Sequence, residues 1–163
     1  MAKVKVEREA LIARYQAGPA LLKAALAKVP PEALQWRPAP GEWSAHEIVV
    51  HCADSEANAA LRIRYLVAEP EPLIVGYDQE EWARRFDYHA LPLEPALLTV
   101  EAVRVNTVPL LRRLPEEAWA RAGRHTESGP YSADRWLEIY AAHLEEHAAQ
   151  IEANLEAWQA RTA

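Results

Sequence analysis

The sequence predicts an all-α fold, a single-domain four-helix bundle with a long connection between the second and third helices. Three observations carry this. Apolar residues recur at helical spacing in four long stretches. Ten of the 12 prolines fall between those stretches or in their first turns, where a missing N–H costs little. No stretch alternates apolar and polar residues as a half-buried strand would. A chain of 163 residues also suits one domain around one sizeable core.

The first helix is expected over about Val4–Lys28, with Leu11, Tyr15, Leu22 and Leu26 on one face and a kink or short break at Gly18-Pro19. A proline-rich connection follows, and its Trp36 is expected to pack on the core. The second helix begins at Ser44, where Ser44 and Glu47 have the spacing of a capping box and Trp43 can staple against Ile48. It runs to about Val67. Residues 69–92 form the long connection, with a short helix near Gln79–Phe86. The third helix spans about Leu93–Leu114, with Leu93, Leu97, Val100, Thr107, Leu111 and Leu114 on one face and Pro109 as a kink. The fourth is capped by Ser132 and runs to about Trp158. Its stripe is Trp136, Ile139, Tyr140, His143, His147, Ile151, Leu155 and Trp158.

Composition narrows the function. Half of the residues are hydrophobic and 26% are charged, which excludes a disordered chain. A net charge of −6 argues against a nucleic-acid partner. No apolar run is long enough to span a bilayer, and the charged N-terminus lacks the apolar region of a signal peptide. The single cysteine, Cys52, fits a reducing cytoplasm.

Chemistry concentrates in the six histidines. His143 and His147, at i and i+4, lie about 40° apart around a helix and within its apolar stripe. Two imidazoles so placed can share zinc, nickel, copper or iron. His51, two turns into the second helix beside Ile48 and Ser55, is the candidate third ligand if the second and fourth helices are neighbours. Three protein ligands would leave a position open for water or substrate. His46 is expected to be exposed; His89 and His125 read as loop residues, with His125 able to line a pocket mouth. Glu47 either completes the cap or orients His51, and Asp54 is a candidate acceptor for the His51 ring. Cys52 reads as a small buried hydrophobe. His143 to His147 also satisfies H-x-x-E-H, but too little chain follows to supply the distant acidic ligand of such peptidases. No phosphate-binding glycine loop, G-x-S-x-G elbow or C-x-x-C pair occurs.

Two blocks resemble a known family. Trp36-Arg37-Pro38-Ala39-Pro40-Gly41-Glu42-Trp43-Ser44, with Glu47 and His51-Cys52-Ala53-Asp54-Ser55-Glu56, is similar to the first signature of the DinB/YfiT-like superfamily. Trp136-Leu137 through His143, His147 and Ala149-Gln150-Ile151 is similar to the second. The resemblance implies a four-helix bundle that holds a divalent metal through His51, His143 and His147, zinc or nickel first among the ions, and a homodimer as the common assembly. Relatives of this kind include S-transferases and isomerases that use bacillithiol, mycothiol or glutathione. The expected function is therefore a metal-dependent S-transferase, with a low-molecular-weight thiol as co-substrate and a small electrophile as substrate. The alternatives are a hydrolase acting through water and a non-catalytic metal-binding or stress-response module. No catalytic residue beyond the ligands is assigned, because fold and ligands do not fix a substrate.

Overall fold

The computed structural model describes residues 2–161, with side chains from residue 5 onward. Four long helices dominate: α1 (Ala2–Leu26), α2 (Ala45–Ala68), α4 (Leu93–Arg113) and α6 (Ala133–Ala160). Two short ones, α3 (Gln79–Arg85) and α5 (Glu116–Trp119), and two 3₁₀ turns lie in the connections. The predicted boundaries hold to within two residues wherever a cap marks them. Ser44 and Glu47 form the full capping box of α2, and Ser132 accepts from the Arg135 N–H at the start of α6. Among the described residues no helix is long and apolar enough to cross a membrane.

In the bundle α1 packs on α6 and α4, and α2 packs on α4 and α6, so each helix is diagonal to its nearest long neighbour in the sequence. Ion pairs report the directions. Arg8 meets Asp134, Arg14 meets Glu145 and Lys28 meets Glu152, so α1 and α6 run parallel. Arg112 meets Glu9 and Lys23 meets Glu101, so α4 opposes α1. Two buried hydrogen bonds set α2 antiparallel against α6: Trp136 Nε1 donates to the Ala59 carbonyl at 3.0 Å, and Asn154 Nδ2 to the Trp43 carbonyl at 2.8 Å. The histidines lie between these two ties.

The core falls into two clusters. One surrounds Leu22, Ile48, Val100, Leu144 and Ile151; the other surrounds Tyr15, Ile63, Leu111, Trp136 and Leu137. The Gly18-Pro19 step does not interrupt α1. Proline removes the N–H that would bond the Tyr15 carbonyl four residues back, and the Arg104 guanidinium donates to that carbonyl instead. Gly18 makes this approach possible: a Cβ there would lie 2.5 Å from Arg104 Nη1 and 2.9 Å from Leu144 Cβ. Gly18→Ala is therefore expected to destabilise the fold by about 1–3 kcal/mol from overpacking. That outweighs a helix-propensity gain of at most about 1 kcal/mol. Chemical denaturation checks it, and a midpoint at or above the parent's would contradict this packing.

The expectation of no strands is corrected. A small sheet of β1 (Leu73–Ile74), β2 (Ala122–His125) and β3 (Gly129–Ser132) pairs in that order, β1 parallel to β2 and β2 antiparallel to β3. Strands of two to four residues are too short for alternation to show, and Ala122-Gly123-Arg124-His125 has none. Gly123 admits β1, since a Cβ there would lie 2.3 Å from the Pro72 carbonyl oxygen. Trp36 is only half-buried and lies outside both core clusters, with the Arg161 guanidinium 5.7 Å from its ring.

Candidate metal centre

The second and fourth predicted helices are neighbours, and His51, His143 and His147 meet between α2 and α6. Each places one ring nitrogen within 4.8 Å of a nitrogen of the other two. The rings stand edge to face, 4.6 Å apart for His143 and His147 and 4.9 Å for His51 and His147. Trp43 covers His51 at 4.6 Å. His51 is 2% exposed and the other two are partly buried.

Electrostatics keep His51 and His147 neutral. Burial, then repulsion from His147 and His143, pushes His51 down to about 2. Burial and His143 lower His147 to about 4, with Gln150 and Glu56 opposing. Gln150 Oε1 lies 2.9 Å from His147 Nδ1; a carbonyl oxygen only accepts, so the proton sits on Nδ1 and the Nε2 lone pair is free. His51 Nδ1 is buried without a hydrogen-bond partner; His143 Nδ1 faces the Glu56 carboxylate and its Nε2 lies 3.3 Å from Ser55 Oγ. Buried polar atoms left unpaired are rare and costly. Three converging imidazoles fit the donor set of a borderline divalent ion.

Beneath the triad lies an ion pair that the sequence reading missed. Glu56 and Arg104 are 0% and 1% exposed. Arg104 Nε donates to Glu56 Oε2 at 3.0 Å and Nη2 to Oε1 at 2.5 Å; Nη2 also donates to the Tyr140 carbonyl. Glu56 Oε1 stands 3.4 Å from His143 Nδ1. Burial alone would raise the Glu56 carboxyl, but His143 and Arg104 outweigh it and hold it below the ordinary range. A fixed carboxylate thus sits behind one histidine, the arrangement that orients imidazole ligands. The available signal was Arg104 itself, which occupies the slot between Val100 and Thr107 in the apolar stripe of α4.

The other candidates separate. Glu47 serves the cap and pairs with Arg37, and among the described residues no hydrogen bond joins it to His51. Asp54 accepts from Tyr88 Oη at 2.6 Å, and His51 Nδ1 makes no hydrogen bond to it. His46 is not exposed: it is 8% accessible, with Nε2 2.8 Å from the Leu91 carbonyl oxygen, because the 88–91 turn folds over the start of α2. His89 Nε2 lies 2.8 Å from Ser44 Oγ. Cys52 is fully buried, and burial pushes its thiol well above the usual range. His125 lines a cavity of about 240 Å³ whose wall includes His143, Ser55, Tyr140, Arg62, Tyr77 and Glu127. The small sheet supplies its outer side.

Comparison with known proteins agrees with this architecture. Residues 14–151 match the model of the DinB superfamily. A protein of Oceanobacillus iheyensis named "putative metal-dependent hydrolase" is 36% identical over 133 residues, 82% of this chain and 77% of the relative. A Geobacillus thermodenitrificans protein of the same name is 31% identical over 146 residues, 86% of this chain and 79% of the relative. The structure of YfiT from Bacillus subtilis, described as "a probable metal-dependent hydrolase with an unusual four-helix bundle topology", superposes with a TM-score of 0.86 at 24% identity, over 92% of this chain and 86% of that one. A mycothiol-dependent maleylpyruvate isomerase shares the fold at a TM-score of 0.70 and 12% identity, over 88% of this chain and 60% of that one. The chain belongs to the DinB superfamily.

Proposed function

We propose that the chain is a divalent-metal-dependent hydrolase of a small molecule, with His51, His143 and His147 as the protein ligands of zinc or nickel. The observation that carries this is the meeting of three imidazole nitrogens within 4.8 Å of one another, with His51 Nδ1 buried and unpartnered. The names of its relatives point the same way. When bound, such an ion supplies Lewis acidity, which eases loss of a proton from a coordinated oxygen or sulfur near neutral pH. The chain's own residues prepare the site. Gln150 fixes the His147 tautomer, Glu56 backs His143, and Trp43 shields His51 from water. The adjoining cavity holds the substrate against the exposed side of His143.

Thiol S-transfer is the second reading, and one observation favours it. Glu127 is the single carboxylate lining the cavity among the described residues, and it is exposed; Glu56 is enclosed by Arg104. A thiol, with a pKa of about 8.5, needs less help to ionise than water.

Metal analysis after reconstitution with zinc or nickel is expected to give about one ion per chain, as for a three-histidine site. The His143→Ala, His147→Ala double variant is expected to lose the ion while keeping its helical circular dichroism. Unchanged metal content in that variant removes the triad as the site. Turnover of activated esters and amides without added thiol supports the hydrolase; turnover only with bacillithiol or glutathione selects the transferase.

A further inference from the structure

The cavity beside the triad has a polar wall that neither the fold nor the metal ligands require. Arg62 reaches it from α2. Its Nη1 donates to Tyr140 Oη at 3.1 Å and its Nη2 to the Val75 carbonyl at 2.8 Å. Two of five guanidinium donors are used, and no carboxylate pairs with Arg62 among the described residues. An arginine with spare donors in a concave site is the side chain best suited to a carboxylate.

Two further donors share the wall. Tyr77 Oη is buried without a hydrogen-bond partner; Ser55 lies beside it but outside hydrogen-bonding geometry. The Tyr77 ring is fixed by Trp82, centroids 4.4 Å apart, and lies 5.9 Å from the Arg62 guanidinium. His125 Nδ1 accepts from the Glu127 and Ser128 N–H groups, so its proton is on Nε2, a donor. One unpaired cation, one orphaned phenol and one oriented imidazole N–H therefore line the same cavity.

We propose that this cavity takes a small organic carboxylate, whose carboxylate group is held by Arg62, Tyr77 Oη and His125 Nε2. This rests on the metal-dependent reading and names the substrate class of that site: a molecule whose anionic end is anchored at the sheet side while its reacting end faces His143. At about 240 Å³ the cavity is smaller than the roughly 300–1,000 Å³ of drug-sized sites, so the ligand is a single-ring or short-chain compound. Glu127, on the same wall, offsets part of the Arg62 charge. That favours a monoanion over a dianion such as phosphate.

Calorimetry with benzoate, benzyl alcohol and inorganic phosphate tests this on the full chain, both metal-free and zinc-loaded. Trp82, stacked on Tyr77, gives a parallel fluorescence signal. Benzoate is expected to bind both forms, and more tightly than benzyl alcohol or phosphate. Arg62→Gln is expected to weaken benzoate at least about tenfold, and Tyr77→Phe about three- to tenfold, the loss of a cationic and of an uncharged donor to the carboxylate. Tyr77→Phe keeps the ring on Trp82, so it serves if Arg62→Gln loosens β1. Benzoate affinity unchanged in both variants overturns the proposal. So does binding that needs zinc and ignores Arg62, a preference for phosphate, or no benzoate binding. Arg62-dependent benzoate binding by a protein that takes up no zinc would overturn the metal reading alone. Zinc uptake without it would overturn the carboxylate pocket alone.

Discussion

Replacing Arg104 with leucine is expected to lower stability by about 3–5 kcal/mol, the usual cost of removing one partner from a buried ion pair. Arg104 and Glu56 are almost inaccessible to solvent. Without the guanidinium, the Glu56 carboxylate keeps only the partly buried His143 ring, 3.4 Å away, as a polar side-chain neighbour among the described residues. The Tyr15 and Tyr140 carbonyls lose their donor as well. The Tyr15 carbonyl has no replacement, because Pro19 stands where the helical N–H would be. A loss of this size is a large share of the 5–15 kcal/mol typical of a domain. Urea denaturation of Arg104→Leu is the measurement. The Arg104→Leu, Glu56→Leu double variant is expected to recover part of the loss, since the buried charge is then gone. A double variant no more stable than Arg104→Leu would show that the carbonyl contacts, not the ion pair, carry the effect.

The same ion pair shows where the sequence was hard to read. Helix ends were legible wherever a side chain satisfies the free N–H groups of the first turn, as Ser44 and Ser132 do. The histidines were legible because i, i+4 spacing inside an apolar stripe leaves them no direction but inward. Glu56 and Arg104 lie on different helices, 48 residues apart, and although Arg104 falls in the apolar stripe of α4, nothing in the sequence names Glu56 as its partner. Only the packing of α2 on α4 makes them partners. The carboxylate beside the triad is accordingly Glu56, and Asp54, closer to His51 in sequence, turns to Tyr88 instead. His46 was misread for a similar reason. Its cover is the 88–91 turn, which local periodicity cannot place over α2. The cavity wall was the least legible part. Arg62, Tyr77 and His125 come from a helix, a loop and a four-residue strand, and no spacing rule joins them.

Acidification of the metal-free protein is expected to destabilise it steeply below pH 6.5. An exposed histidine in the unfolded chain takes up a proton near that pH. In the folded chain burial and mutual repulsion hold His147 at about 4 and His51 at about 2. Between pH 6.5 and 4 the unfolded state therefore binds two protons that the folded state refuses, and stability falls as pH falls. The slope is about 1.4 kcal/mol per pH unit for each group, or about 2.8 for the pair. Below about pH 4 His147 protonates in the folded state and its share levels off, while that of His51 continues toward pH 2. Denaturation midpoints at pH 7.5, 6, 5 and 4.5 measure this. His147→Gln is expected to remove about half of the slope, which separates the triad from His46, His89 and His125. A midpoint that stays flat from pH 7 to 5 would mean that the triad takes up protons in place and is more open to water than its packing against Trp43 indicates. For the proposed metal site the same balance sets the acid limit of binding. Protons compete with an ion only for imidazoles that accept them, so lowered pKa values keep the ligands available in mild acid. Metal loss is then expected to coincide with the unfolding transition, where ordinary exposed histidines would release the ion near pH 6 while the fold stayed intact.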